Sequence, residues 1–222
     1  MSTAPVWLFD LDDTLHQASA HIFPHINRSM TEYIMQHLAV DEAAANRLRT
    51  DYWQRYGATL LGLMRHHDTD PAHFLRETHR FDRLHELVVF DRALRHCLKR
   101  LPGRKIVFSN GPSDYAHAVL GVMDLHRSID GLCAIEQMRL HPKPMRRAFH
   151  HLMRDHRLYP ARCILVEDSL ANLKAAKRLG MRTVWISRAS GRPSYVDCQL
   201  PSVLALPRAM GRLGVSRRAA SA

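Results

Sequence analysis

VWLFDLDDTLHQ, residues 6–17, opens on four apolar residues and then places Asp10, Asp12 and Asp13 within four positions. A short apolar run of this kind reads as a buried strand, and a buried strand that ends on like charges needs a reason. Residues i and i+2 of a strand face the same way, so Asp10 and Asp12 converge while Leu11 points to the other side. Two converging carboxylates repel each other unless a cation or a shared proton relieves them. The simplest such cation is Mg2+, a hard ion that prefers oxygen ligands. The plainer alternative is a strand end followed by acidic turn residues, with Asp12 or Thr14 capping the next helix.

Outward from this stretch the texture changes twice. From about Ala18 to Phe90 the chain reads as helices: Ile22, Ile26, Met30, Tyr33, Ile34 and Leu38 recur at helical spacing. Asp41 is placed to cap DEAAANRLRTDYWQRYG, which closes on Gly57, and Pro71 stands near the start of PAHFLRETHRF. From residue 91 helix and strand alternate. Helix 91–100 leads to strand KIVFSN (105–110), then a helix from Pro112 to about Met123 and the apolar stretch IDGLCAI (129–135). After the loop LHPKP come helix 145–156, strand RCILVED (162–168), helix 169–180 and strand RTVWIS (182–187). Such alternation predicts an α/β fold, a Rossmann-like doubly wound parallel sheet with helices on both faces. Residues 18–90 are too long for a loop and are expected to be an inserted all-helical cap. The core is then residues 1–17 and 91–200, followed by a basic tail from 201 to 222 that is frayed toward its end.

Ligands of an open parallel sheet bind at the carboxyl ends of its strands, and the other strand ends carry suitable chemistry. IVFSN ends on Ser109 and Asn110 before Gly111 and Pro112, and a hydroxyl beside a helix N-terminus suits a phosphoryl oxygen. Lys143 lies between two prolines in HPKP, which stiffen the loop and aim its ammonium. CILVED ends on Glu167 and Asp168, with Ser169 placed to cap the next helix. That acidic pair would complete a Mg2+ site with Asp10. Each signal alone has an ordinary reading: turn formers, a surface lysine, acids at a helix N-terminus. Their order along one expected fold makes them jointly strong.

FDLDDT, FSN, the lysine of HPKP and VEDS together resemble the four motifs of the haloacid dehalogenase-like hydrolases, over nearly the whole chain up to about residue 190. The resemblance implies that Asp10 attacks phosphorus to form an aspartyl-phosphate. It implies that Asp12 serves as acid and then base, and binds Mg2+ through its carbonyl. Ser109 and Asn110 would hold the phosphoryl group, Lys143 would offset its charge, Thr14 would orient the loop, and Asp168 and Glu167 would ligate Mg2+. Asp12 favours phosphatase over dehalogenase chemistry, because a dehalogenating relative needs no second acid. YWQRYGATLLGLMRHH followed by FSNGPSDYAHAVLGVMDL is similar to the pyrimidine 5′-nucleotidase-like branch, which implies UMP, CMP or a similar nucleoside monophosphate as substrate. Tyr52, Trp53 and Tyr56 would offer a stacking face to the base, and His66, His67 or His117 would touch substrate. The bland reading has those aromatics packing cap helices and those histidines on helix surfaces. His16 departs from that branch, which usually carries Tyr there.

Composition sets wider bounds. The chain has 222 residues, 46% hydrophobic and 24% charged, enough for a sizeable core and unlike a disordered chain. No apolar run approaches the roughly 18 residues of a membrane span, and Asp10 interrupts the first one, against a secretory signal. Cys97, Cys133, Cys163 and Cys198 form no CxxC pair and are expected as buried free thiols in a cytoplasmic protein. Residues 1–90 carry a net −4 and residues 91–222 a net +15, giving +11 in all, but without a run of five basic residues. A solvated basic face accounts for it, and such a face also attracts phosphorylated substrates. The expected partner is therefore a small phosphorylated metabolite, a nucleotide first, rather than a membrane or a nucleic acid. A sugar-phosphate phosphatase, a phosphomutase, and a non-catalytic nucleic-acid-binding or scaffold protein on a hydrolase fold are the alternatives. HExxH is absent, and the adjacent pairs His66–His67 and His150–His151 lack zinc spacing.

Overall fold

A computed structural model of the chain describes residues 4–216. It contains two compact units, one made of the residues up to Gln17 and from Val88 onward, the other of Ala18–Leu87. The first is built on six strands: β1 (Val6–Phe9), β2 (Arg104–Phe108), β3 (Gly131–Cys133), β4 (Cys163–Glu167), β5 (Arg182–Ile186) and β6 (Cys198–Leu200). All pair in parallel in the order β3-β2-β1-β4-β5-β6. In β1 every residue is buried, as a parallel sheet covered on both faces requires. Its register sets Leu8 beside Ile106 on one side and Leu165 on the other. Trp7 is fully buried, and its indole N–H donates to the Pro102 carbonyl at 2.8 Å. Strand β6 escapes sequence analysis because three residues carry no readable period.

The second unit is all-helical: α1 (Ala18–Leu38), α2 (Glu42–Tyr56), α3 (Thr59–His67), α4 (Pro71–Thr78) and a short α5 (Leu84–Leu87). Asp41 caps α2 by accepting from the Ala44 N–H at 2.7 Å, and Gly57 closes it at φ 83°. Asp70 caps α4 ahead of Pro71. Ile22, Ile34, Leu63 and Phe74 fill the interior, with Tyr33 edge-on to Phe74 at 5.1 Å.

The remaining helices, α6 (Leu94–Lys99), α7 (Ser113–Val122), α8 (Arg146–Asp155) and α9 (Leu170–Arg178), alternate with the strands as expected. Ser169 stands at the N-cap of α9, but its side chain makes no capping bond. Beyond residue 201 the expected basic tail is folded as far as residue 215. Val203–Ala205, α10 (Leu206–Ala209) and Met210–Leu213 are short helical turns, and Val203, Leu206, Met210, Leu213 and Val215 are buried. The Arg182 guanidinium donates to the Leu213 carbonyl and ties this segment to β5. The end of the tail, residues 217–222, lies outside the described residues. All four cysteines are buried and free. Among the described residues no helix is long and apolar enough to cross a membrane.

Candidate active site

Because β1 lies between β2 and β4, the carboxyl ends of these three strands are adjacent, and each delivers a polar group. Asp10 follows β1 and stays in the sheet through its N–H, which donates to the Val166 carbonyl at 3.0 Å. The chain then turns sharply. Asp13 takes φ 58°, a left-handed conformation that Asp tolerates better than most residues. The Leu15 N–H closes the turn on the Leu11 carbonyl at 2.9 Å. Thr14 points its hydroxyl at Asp168 Oδ1, 3.4 Å away.

Lys143 joins the three strand ends. Its ammonium donates to Asp10 Oδ1 at 2.6 Å, to the Phe108 carbonyl at 2.7 Å and to Glu167 Oε2 at 2.9 Å. All three of its protons are thereby engaged, in a side chain with almost no exposure. Asn110 anchors the loop beneath it: its Oδ1 accepts from the Lys143 N–H at 2.7 Å and its Nδ2 donates to the Lys143 carbonyl at 3.1 Å. Both ends of the Asn110 amide are thus turned to the loop. Ser109 is fully buried, and its Oγ accepts from the Gly111 N–H at 3.0 Å, leaving the hydroxyl proton to donate.

Glu167 is also fully buried. Besides Lys143 it accepts from the Asn172 amide at 3.0 Å and from the Ser169 N–H at 3.1 Å. Asp168 is less enclosed, and its backbone carbonyl accepts from the Trp185 indole at 2.9 Å. Carboxylate oxygens of Asp10, Glu167 and Asp168 lie within 4.8 Å of one another. Burial and the neighbouring Glu167 charge raise the Asp10 carboxyl well above its usual range, against the pull of Lys143. Burial and Glu167 likewise push Asp168 up to about 7. Burial works against ionised Glu167 too, but Lys143 outweighs it and holds this carboxyl below its ordinary value. Burial also works against the Lys143 ammonium, yet Asp10 and Glu167 more than offset it, so Lys143 stays charged. Two carboxylates, Asp10 and Glu167, therefore share one ammonium with Asp168 beside them, and the raised Asp10 and Asp168 reflect burial together with the Glu167 charge. An all-oxygen donor set with excess negative charge fits a hard divalent cation.

Asp12 stands beside this cluster, its side chain 15% exposed. Its Oδ1 accepts from the Tyr115 hydroxyl and lies 3.0 Å from His16 Nε2. Burial and the Asp12 charge push the Tyr115 hydroxyl upward, so it is a donor. The structure thus brings together Asp10, Asp12, Ser109, Asn110, Lys143, Glu167 and Asp168. Tyr52, Tyr56 and His67 belong to the helical unit. Tyr52 is 8% exposed, its ring against Gly62 and its hydroxyl 2.7 Å from His67 Nε2. Tyr56 pairs with His66 Nε2 at 2.7 Å, whereas Trp53 is 62% exposed. Sequence reasoning missed Tyr115, Asn172 and Trp185 as site residues. Nothing in their local sequence distinguishes them from ordinary helix and strand positions.

A family model for the haloacid dehalogenase-like hydrolases matches residues 6–180. The chain belongs to that family. Like it in fold, a HAD phosphatase from Thermococcus onnurineus superposes with a TM-score of 0.67 at 19% identity, covering 96% of this chain and 99% of that one. L-2-haloacid dehalogenase from Xanthobacter autotrophicus, with chloropropionic acid covalently bound, gives a TM-score of 0.61 at 15% identity, with 94% and 98% covered. Phosphate metabolism protein 8 of Saccharomyces cerevisiae is 31% identical over 65 residues, 29% of this chain and only 20% of that protein's length. This haloacid dehalogenase-like hydrolase therefore shares its fold with both phosphatases and dehalogenases, and the choice between them rests on its own site.

Proposed function

We propose that this chain is a Mg2+-dependent phosphomonoester hydrolase that works through an aspartyl-phosphate. The cluster of Asp10, Glu167 and Asp168, the first two paired with the Lys143 ammonium, carries the reading. A haloacid brings a single carboxylate and loses a halide that needs no proton, so three converging carboxylates would serve it poorly. A phosphate dianion together with a hard cation accounts for them. Asp10, Asp168 and the Asp12 carbonyl would hold Mg2+, with Glu167 ligating it directly or through water, and the ion would supply charge neutralisation at the phosphoryl group.

The chain's own residues would supply the rest. Asp10 attacks phosphorus, the bond to the leaving oxygen breaks, and Asp12 gives that oxygen a proton to release the alcohol. Water then attacks the aspartyl-phosphate, Asp12 takes its proton, and the bond from phosphorus to Asp10 breaks to free inorganic phosphate. The Ser109 hydroxyl donates to a phosphoryl oxygen. Lys143 contributes charge while keeping Asp10 in place, and Asn110 acts by fixing the Lys143 backbone.

For the substrate, the similarity of the YWQRYG and FSN…HA segments to pyrimidine 5′-nucleotidases supports UMP or CMP. In the helical unit the open face of Trp53, with Tyr56, suits base stacking better than buried Tyr52, which supports the helix packing together with His67. The test is phosphate release from a panel of nucleotides and sugar phosphates, with Mg2+ or chelator, and chloride release from 2-chloropropionate, using Asp10→Asn as control. UMP and CMP are expected to stand out by about tenfold, roughly 1.4 kcal/mol of transition-state binding. Turnover of sugar phosphates instead would keep the phosphatase and discard the nucleotidase, and chloride release would overturn both.

A further inference from the structure

Asp12 is held by one oxygen. The Tyr115 hydroxyl donates to Oδ1, and His16 Nε2 lies 3.0 Å from the same atom, while among the described residues no hydrogen bond reaches Oδ2. The direction of the histidine bond follows from the other side of its ring. His16 Nδ1 is buried and has no hydrogen-bond partner. A proton on Nδ1 alone would be an unpaired buried donor and would leave Nε2 facing the carboxylate lone pair to lone pair. The ring proton therefore sits on Nε2 and points at Oδ1.

The two donors arrive from different elements. His16 closes the turn after β1, where its N–H lies 3.4 Å from the Leu11 carbonyl. Tyr115 comes from the first turn of α7 and is 4% exposed. It reaches Asp12 past Gly111, where a side chain would meet the tyrosine ring, since a Cβ there would lie 2.9 Å from Tyr115 Cδ1. Donors from two directions on one oxygen fix both side-chain torsions of the carboxyl. Oδ2 is then the oxygen presented to the reaction.

We propose that His16 and Tyr115 are positioning residues that clamp Asp12 by Oδ1 so that Oδ2 exchanges the proton with the leaving oxygen and then with water. The inference rests on the phosphatase reading and adds two residues and one atom to it. It also makes a prediction about leaving groups. A strongly basic alkoxide cannot depart without the Asp12 proton, whereas p-nitrophenolate can, but the water step needs Asp12 whatever the ester.

The experiment compares a nucleoside or alkyl monophosphate with p-nitrophenyl phosphate in wild type, Tyr115→Phe, His16→Leu and His16→Gln. In Tyr115→Phe and His16→Leu, kcat on the alkyl ester is expected to fall about tenfold or more while KM stays within about twofold. On p-nitrophenyl phosphate the same variants are expected to release one enzyme equivalent of nitrophenolate in a burst and then turn over slowly. His16→Gln keeps an N–H donor and is expected to recover most of the loss. Both Gln and Phe are close in size to the residues replaced, and thermal melting would check that each variant is folded. Equal losses on both esters without a burst, or wild-type kinetics, would overturn the clamp. A wild-type chain that hydrolyses neither ester would sink the phosphatase reading itself, and the clamp with it.

Discussion

At the scale of single residues, Lys143 and Asp168 decide how the site behaves with pH and substitution. Lys143 is buried between Asp10 and Glu167, and removing one partner of a buried ion pair strands the other charges. Lys143→Met is expected to cost about 3–5 kcal/mol in urea unfolding, and adding Glu167→Gln should recover part of that loss. Asp168 gives a pH dependence whose sign is fixed. Its carboxyl is raised from 3.8 to about 7, so between those values the folded state holds more proton than the unfolded chain. Stability conferred by the protonated form is present below the lower value and is lost as pH rises through the upper one. In chelator, the melting temperature of wild type should therefore decline across this window more steeply than that of Asp168→Asn. Above about pH 7 the variant should be the more stable of the two. The opposite ordering would show that Asp168 is not held in a field of excess negative charge.

Among the elements, α2 and α3 meet where a glycine stands opposite an aromatic ring. A Cβ on Gly62 would lie 2.2 Å from Tyr52 Cγ and 2.4 Å from its Cβ, so the ring must shift. Gly62→Ala is expected to cost about 1–3 kcal/mol by overpacking. Combined with Tyr52→Leu it should cost less than the sum of the two, which a double-mutant cycle in urea would measure. The elements also show which signals are local. The caps of α2 and α4 at Asp41 and Asp70 involve residues two or three positions apart, so the sequence displays them directly. The Ser169 N–H is served just as locally, by Glu167 two positions before it, but from the last residue of a strand rather than from an N-cap side chain.

For the whole molecule, the last turns complete the core unit. Val203, Leu206, Met210 and Leu213 are buried, and the Cys97 thiol donates to the Val203 carbonyl at 3.4 Å. At about 1.5–3 kcal/mol for each fully buried aliphatic side chain, removing residues 202–222 should lower the unfolding free energy by at least about 3 kcal/mol. Urea titration and dye binding to exposed apolar surface would measure this, and an unchanged midpoint would refute it. This segment escapes sequence analysis because short helical turns lack a full period, and its arginines suggest solvent rather than contact. The positions of Asp10, Asp12, Ser109, Lys143, Glu167 and Asp168 at strand ends or in a proline-stiffened loop are legible in the sequence. Hydrophobic runs mark the strands, and the polar residues that end them are immediate neighbours. Tertiary structure alone decides that β1 lies between β2 and β4, that one ammonium serves Asp10, Phe108 and Glu167, and that Asn110 turns to the Lys143 backbone. It alone brings Tyr115 to Asp12 across 103 residues and sets Trp185 on Asp168. Strand order and register fix these partners, and no local period or propensity records which distant side chain a sheet will bring alongside.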